Sequence, residues 1–375
     1  MNKKRLSIVI LLAFGALLLT ACAGGGGRGS SWPGLAADGQ YAYLSDGGQV
    51  YGVDLSDGSE VWHYPAKASP PKLVFYATPV VLPDGSILIG SAGTDSCMHK
   101  IDPSTINAQD KTAAGTCFFD GAKDHWIAAP LVMGDVIYAP NNDGFLYVID
   151  ATKGSLLWSL NVDGHLWATP VSDGKTLYLS SLDHNLYAVD IERRAVIWKT
   201  NLGGSITGSP ALSEDGQTLF VGSFGARVFA LNAQTGTVLW DAQTDGWVWG
   251  GPAVREGTVY AADLEGQVYA IDAETGTITW TVKPVSSDSP NRAITGTPLI
   301  TDQGIIIDTE SGEVCRVDFE GKAACIAKLT KGKVYTPAIP AGELILVAPL
   351  PTGAEFFLSA FSPDGDSVWH FTPEK

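Results

Sequence analysis

Val268–Trp280 reads VYAIDAETGTITW, and it sorts by physics into three parts. Val268 to Ile271 is short, β-branched and aromatic, which favours a strand. Asp272 to Gly276 carries turn chemistry: an aspartate that can bond backbone N–H groups ahead of it, then a glycine free to take positive φ. Thr277 to Trp280 forms a second strand, so the whole reads as a β-hairpin ending in a large aromatic.

The hairpin recurs as VFALNAQTGTVLW from Val228, LYAVDIERRAVIW from Leu186, LYVIDATKGSLLW from Leu146 and VYGVDLSDGSEVW from Val50. In each copy the Trp follows the Asp or Asn by eight residues. A degenerate copy ends at Trp369, where Phe361 replaces the Asp. Two further copies, at Asp102 and Asp318, keep the Asp and lack the Trp. The count is therefore eight.

A second marker runs in phase. Pro33, Pro79, Pro130, Pro170, Pro210, Pro252, Pro298 and Pro337 each open the first strand of a unit, at intervals of 39 to 51 residues. Between each Pro and its Asp lies one more strand after a tight turn, as in Ser172-Asp173-Gly174. Four short strands in about 40 residues is one propeller blade, and self-similarity at that period decides the fold class. The expectation is all-β: an eight-bladed propeller of four-stranded antiparallel blades over residues 32–375, closing as blade 8 packs on blade 1. A closed ring hides most strand edges, so a monomer is expected.

The A/V-x-D-x-x-T-G-x-x-x-W pattern resembles the tryptophan-docking repeat of the PQQ-like β-propellers, over nearly all of residues 32–375. The resemblance is greatest to the lipoprotein propeller of the outer-membrane β-barrel assembly machinery, which implies a scaffold. The same family includes quinoprotein alcohol dehydrogenases, so it also admits an enzyme using PQQ and calcium. Fold alone does not choose between them. The resemblance implies that Trp62, Trp158, Trp198, Trp240, Trp280 and Trp369 lie on outer strands and dock on the neighbouring blade.

The first 21 residues have the features of an export signal: Lys3, Lys4 and Arg5, then an apolar run from Leu6 to Leu19 that is short for a membrane span. Leu19-Thr20-Ala21-Cys22 resembles a lipobox, which makes Cys22 the expected lipidated N-terminus and residues 22–31 a glycine-rich tether. Gly24, Gly26 and Gly29 satisfy G-x-G-x-x-G, but no strand precedes them and no helix follows, as a phosphate loop requires. The chain is acidic, with a net charge of −16; removal of three cationic residues with the signal takes it to −19. That balance argues against nucleic acid and against adhesion to anionic lipid. Membrane association through Cys22 is expected instead, at the extracytoplasmic face.

Five tryptophans lie off the docking positions. Trp32, Trp126, Trp167, Trp247 and Trp249 precede a marker Pro by one to five residues, in the loops that cross from one blade to the next. Tyr76, Tyr335, His125 and His165 share that placement. These loops converge on one mouth of the ring, so a rim of Tyr76, His125, Trp126, His165, Trp167, Trp247, Trp249 and Tyr335 is expected. Such a rim serves either loop packing or contact with a protein partner or small ligand, carbohydrate included.

The cysteines beyond Cys22 fall in the two blades without a docking Trp. Cys97 with Cys117, and Cys315 with Cys325, are placed for cross-strand disulfides in an oxidising compartment; free buried thiols are the alternative. A shared metal site is disfavoured because blades 2 and 7 are not neighbours. Blade 2 also carries an insertion, Asn107 to Gly115, and without the Trp both outer strands are expected to fray more easily.

Catalytic patterns are scarce. There is no H-E-x-x-H and no G-x-S-x-G. Asn141-Asn142-Asp143-Gly144 lacks the distal Glu of a calcium loop and reads as a turn. PQQ enzymes of the family carry an adjacent Cys–Cys pair, and no two cysteines here are adjacent. The expectation is a non-catalytic scaffold without metal or cofactor, with the quinoprotein oxidoreductase as alternative.

Overall fold

A computed structural model describes residues 32–285, 291–350 and 353–374; the expected signal segment, Cys22 and the tether lie outside the described residues. Among these described residues, thirty-two strands form eight separate four-stranded sheets, each ordered as in the chain. Blade 4 is representative. Its strands Val171–Ser172, Thr176–Ser180, Asn185–Asp190 and Ala195–Asn201 pair antiparallel from the inner to the outer edge. The protein is an all-β eight-bladed propeller.

Seven of the marker prolines stand directly before an inner strand, where their missing N–H costs no ladder bond. Blade 8 differs. Its inner strand starts at Ile339, two residues after Pro337, so Ala338 takes the usual Pro position. Its free N–H donates to Asp308 Oδ1 of blade 7 at 2.9 Å.

The core lies between blades rather than within them. The described residues form eight apolar clusters, one at each junction; Leu44 and Val53 of blade 1, for example, share a cluster with Leu358 and Ala360 of blade 8. The middle strands are buried on both faces, which explains their near-continuous apolar runs. Ring closure adds two polar contacts, Trp369 Nε1 to Leu55 O at 2.8 Å and Thr336 Oγ1 to Pro33 O.

The repeat motif now has a physical reading. The motif glycine turns the chain at positive φ, and it also leaves room for the tryptophan of the preceding blade. A Cβ on Gly236, Gly276, Gly321 or Gly58 would lie 2.5–2.8 Å from the ring of Trp198, Trp240, Trp280 or Trp369 respectively. Each of those indoles also donates to a backbone carbonyl of the same turn, at Ala233, Ala273, Phe319 or Leu55, over 2.8–3.1 Å. Across its own sheet every docking Trp pairs with a small or slender residue: Gly52, Val148, Ala188, Ala230, Ala270 or Ala360.

Blades 2 and 7 place Lys100 and Arg316 at that position, opposite Thr116 and Ala324. A long cation thus stands where the sheets with a docking indole carry a small or slender residue. The sockets on the following blades are occupied all the same: the backbone of Phe118 meets Gly154, and that of Ile326 meets Gly365. Arg316 donates to Pro363 O of blade 8, in the manner of the docking indoles. The outer strands of blades 2 and 7 thus still touch the next blade without an indole.

Both disulfides are present. Cys97–Cys117 spans 5.8 Å between Cα atoms; Cys315 and Cys325, at 3.7 Å, are direct partners across the hairpin.

Candidate functional site at the mouth of the propeller

The crossing loops share one end of the ring with the turns between second and third strands, and hydrogen bonds lock the two sets together. In blades 2 to 8 a residue early in that turn donates its N–H to the carbonyl of the residue five before the inner strand's Pro position. Ala92 bonds Val74, Asn142 bonds His125, Leu182 bonds His165, Phe224 bonds Ser205, Leu264 bonds Trp247, Glu310 bonds Ala293 and Leu350 bonds Lys333, at 2.7–3.2 Å. The next loop residue faces inward and is buried: Phe75, Trp126, Leu166, Ile206, Val248, Ile294 or Val334. The one after it points the other way, towards the mouth, and is part exposed except at the buried Thr295.

This alternation sorts the expected rim. Tyr76, Trp167, Trp249 and Tyr335 occupy the outward-facing register and are half-buried. His125 and His165 stand exposed beside the clamp bonds, and Trp247 is half-buried there. Trp126 has the opposite parity and is 0% exposed. It packs against Phe119 and Tyr147, with its Nε1 donating to Ser96 O at 2.9 Å. It is a core residue, and the expectation of Trp126 on the rim is corrected; Ile127 takes the mouth-facing place.

The remaining aromatics form local groups. Trp32 meets Tyr76 edge-on with centroids 4.9 Å apart. Trp247 stacks on Phe224 at 5.2 Å, and Trp249 lies against the same ring at 5.4 Å. His165 and Trp167 converge on Asn142: the imidazole Nδ1 lies on its carbonyl oxygen, and Trp167 Nε1 donates to its Oδ1 at 2.7 Å. Tyr335 donates to Glu310 Oε1 at 2.7 Å, and Lys333 bonds the same oxygen. Burial, then the Glu310 carboxylate, pushes the Tyr335 phenol up to about 12, so it stays protonated at neutral pH.

Sequence reasoning missed Phe224, Asn142 and Glu310. All three sit at the clamp position of a short turn, and only the repeat alignment of those turns exposes that register. A further polar chain lies between blades 1 and 2. Asp95 Oδ2 meets His99 Nε2 at 2.8 Å, and His99 Nδ1 meets Tyr64 Oη at 3.0 Å. Burial holds the His99 pKa below its ordinary value against the pull of Asp95. Among the described residues no group of three or more His, Cys, Asp or Glu side chains is arranged to hold a metal ion.

Tryptophan-docked four-stranded blades, closed as a ring of eight, define the class: a PQQ-like β-propeller with a loop-built aromatic mouth. The family model described as outer membrane protein assembly factor BamB matches residues 104–201 and 183–338, more than half of the chain, and the chain belongs to that family. Among solved structures, the crystal structure of BamB from Moraxella catarrhalis is similar with a TM-score of 0.66 and 20% identity, over 91% of this chain and 94% of that one. At that identity the likeness speaks for the fold. No curated protein matches the sequence.

Proposed function

We propose that the chain is an exported, non-catalytic scaffold of the bacterial cell envelope, tethered to a membrane by a lipid on Cys22. Its role is to bind, through the mouth, another protein engaged in outer-membrane protein assembly. The observation that carries this reading is the mouth itself. Tyr76, Trp167, Trp249 and Tyr335 recur in one register of four crossing loops, half-buried and backed by a rigid clamp of backbone bonds. Aromatics held at low entropic cost on a rigid frame are typical anchors of protein recognition. Family membership supports the assembly role, and the two disulfides support an oxidising compartment.

No cofactor enters this reading. The donor set fits a quinone–calcium site poorly: the four described cysteines are tied up in blades 2 and 7, and neither pair is adjacent in sequence.

The test is co-purification of outer-membrane assembly components from detergent-solubilised envelopes. Trp167→Ala and Trp249→Ala should reduce capture strongly while the melting temperature stays near that of the parent. Undiminished capture by the double variant would refute the mouth as the binding surface. Cys22→Ser should release the protein to the soluble fraction, and membrane retention of that variant would refute the lipid tether.

A further inference from the structure

Blade 1 shows what the outward edge of a blade can accept. Its last strand, Glu60–Tyr64, would present a free row of backbone groups, but the insertion of blade 2 returns to lie along it. His63 N donates to Lys111 O at 2.9 Å and Ala113 N donates to His63 O at 3.0 Å, so Thr112 bridges His63 in parallel. Ile106, which leads into that insertion, packs against the cluster that also takes in Val61. Val61 is the extra residue of a β-bulge, because Gly52 pairs with Trp62 while Val53 pairs with Glu60. The chain thus covers the edge, and Val61 at the bulge is half-buried.

Blades 3, 4 and 5 repeat the edge without the cover. Their outer strands are Leu156–Asn161, Ala195–Asn201 and Val238–Gln243. The same bulge leaves Leu157, Ile197 and Leu239 unpaired. These are 45%, 48% and 54% exposed, and the preceding Leu156, Val196 and Val238 are exposed as well. Among the described residues no other segment makes a backbone hydrogen bond to these outward edges. Blade 6 has Thr279 at the bulge, and blade 8 has Val368 beside Ser367. Among the described residues, adjacent pairs of exposed large apolar side chains on an outer strand are therefore confined to three neighbouring blades. Natural edge strands are usually blunted by Lys, by Pro or by a covering loop, and Leu156–Asn161 has none of these.

Beside this belt runs a groove of about 730 Å³ between blades 4 and 5. Ile197 forms one wall; Asp173, Asp190 and Glu192 line it with Lys175 as the one cation of the lining, and Arg193 pairs with Asp190 at 3.7 Å, which leaves the lining net acidic. A net charge of −16 repels acidic segments at long range, and this lining favours a cation at close range. We propose that the outward edges of blades 3 to 5 dock an extended apolar segment of another protein, added as a strand and carrying a basic residue that reaches the groove. Edge addition supplies affinity through main-chain bonds, and exposed side chains such as Ile197 supply selectivity. The surface lies on the circumference, and the inference stands independently of the mouth.

The experiment uses the mature full-length chain and a fluorescein-labelled peptide of four Val-Thr repeats ending in arginine, followed by fluorescence anisotropy. The expected result is saturable binding that Ile197→Lys weakens at least about tenfold, a change of ~1.4 kcal/mol. Leu157→Lys should act in the same direction, and Val368→Lys on blade 8 should leave binding unchanged. A peptide with proline at two central positions cannot complete the ladder and should lose at least about tenfold. Replacing the terminal arginine by glutamate should weaken binding several-fold. Absence of saturable binding, full binding by both lysine variants of blades 3 and 4, or equal binding of the proline peptide would overturn the strand-docking surface. Equal binding of the glutamate peptide would overturn the assignment of a basic partner. Melting curves of the variants confirm the ring, since both side chains are about half exposed.

Discussion

Gly276→Ala tests the reading of the repeat motif most directly. The glycine sits at φ +73°, so an L-residue there costs about 1–2 kcal/mol through the backbone alone. The new Cβ would also lie 2.7 Å from the ring of Trp240. Carbon contacts relax at about 3.5–4.0 Å, so the indole must retreat by roughly 1 Å. That movement stretches the bond from Trp240 Nε1 to Ala273 O, now 2.9 Å, which contributes about 1 kcal/mol net. The expected total is about 3 kcal/mol. Gly257→Ala is the matched control: it lies in the same blade at φ +74°, with no atom within 4 Å of the added carbon, and should cost only the backbone term. Urea unfolding followed by far-UV circular dichroism measures both. In a Trp240→Ala background the two glycine variants should cost the same, because the docked ring is gone. Equal losses in the parent background, or an excess that persists without Trp240, would refute the socket.

Four further outcomes are expected. Asp308 is fully buried, and burial raises its carboxyl to about 7 against 3.8 when unfolded. The unfolded chain thus ionises first, and stability falls as pH rises from about 4 to 7, by up to ~4 kcal/mol at 1.36 kcal/mol per unit. Asp308→Asn should flatten that segment of the stability–pH profile, and an unchanged slope would refute the assignment. Glu313 behaves oppositely: burial works against ionisation, yet Lys328, Ser311 and Thr309 hold it at about 2, so its contribution is lost only as pH falls from about 4.5 towards 2. Glu313→Gln should weaken that acid-side loss in the same titration. Removing Cys315–Cys325, which closes a short loop, should cost about 3 kcal/mol, and Cys97–Cys117 slightly more; thermal melts of the paired serine variants would show it. Arg316→Ala should lower stability by about 1–2 kcal/mol through loss of its bond to Pro363 O, measured by urea unfolding.

The ring was legible because its code is local. Asp272, Gly276 and Trp280 act within nine residues of one another, and five in-phase copies leave little room for another topology. The register of Cys315 with Cys325 was legible for the same reason, since a short turn separates them. The mouth was only partly legible. Proximity to a marker Pro places a residue in a crossing loop, but one step along an extended segment reverses the side it faces. Trp126 and Trp167 differ by one position relative to their prolines, and one is buried core while the other faces the mouth. The blade 8 entrance was obscured because Ala338, and not Pro337, holds the structural position. Nor could the sequence show that Thr112 pairs with His63, because that bridge belongs to an insertion outside the repeat.

The two ends of the ring carry different constraints. At the end with the hairpin turns, Gly58, Gly236, Gly276 and Gly321 are each fixed twice, by their own positive φ and by the indole resting on them. A change there disturbs two blades at once. Blades 2 and 7 show how narrow the solution is: with Lys100 or Arg316 across the strand the indole disappears, yet Phe118, Ile326 and the Arg316 guanidinium still fill or bond the next blade's turn. At the mouth the frame is held by backbone bonds from Ala92 round to Leu350, which are indifferent to the side chains they carry. Those side chains range from His165 and Trp247 to Ser205 and Ala293 without loss of the clamp. The mouth can therefore vary in chemistry while keeping its geometry, and this freedom is what a recognition surface requires.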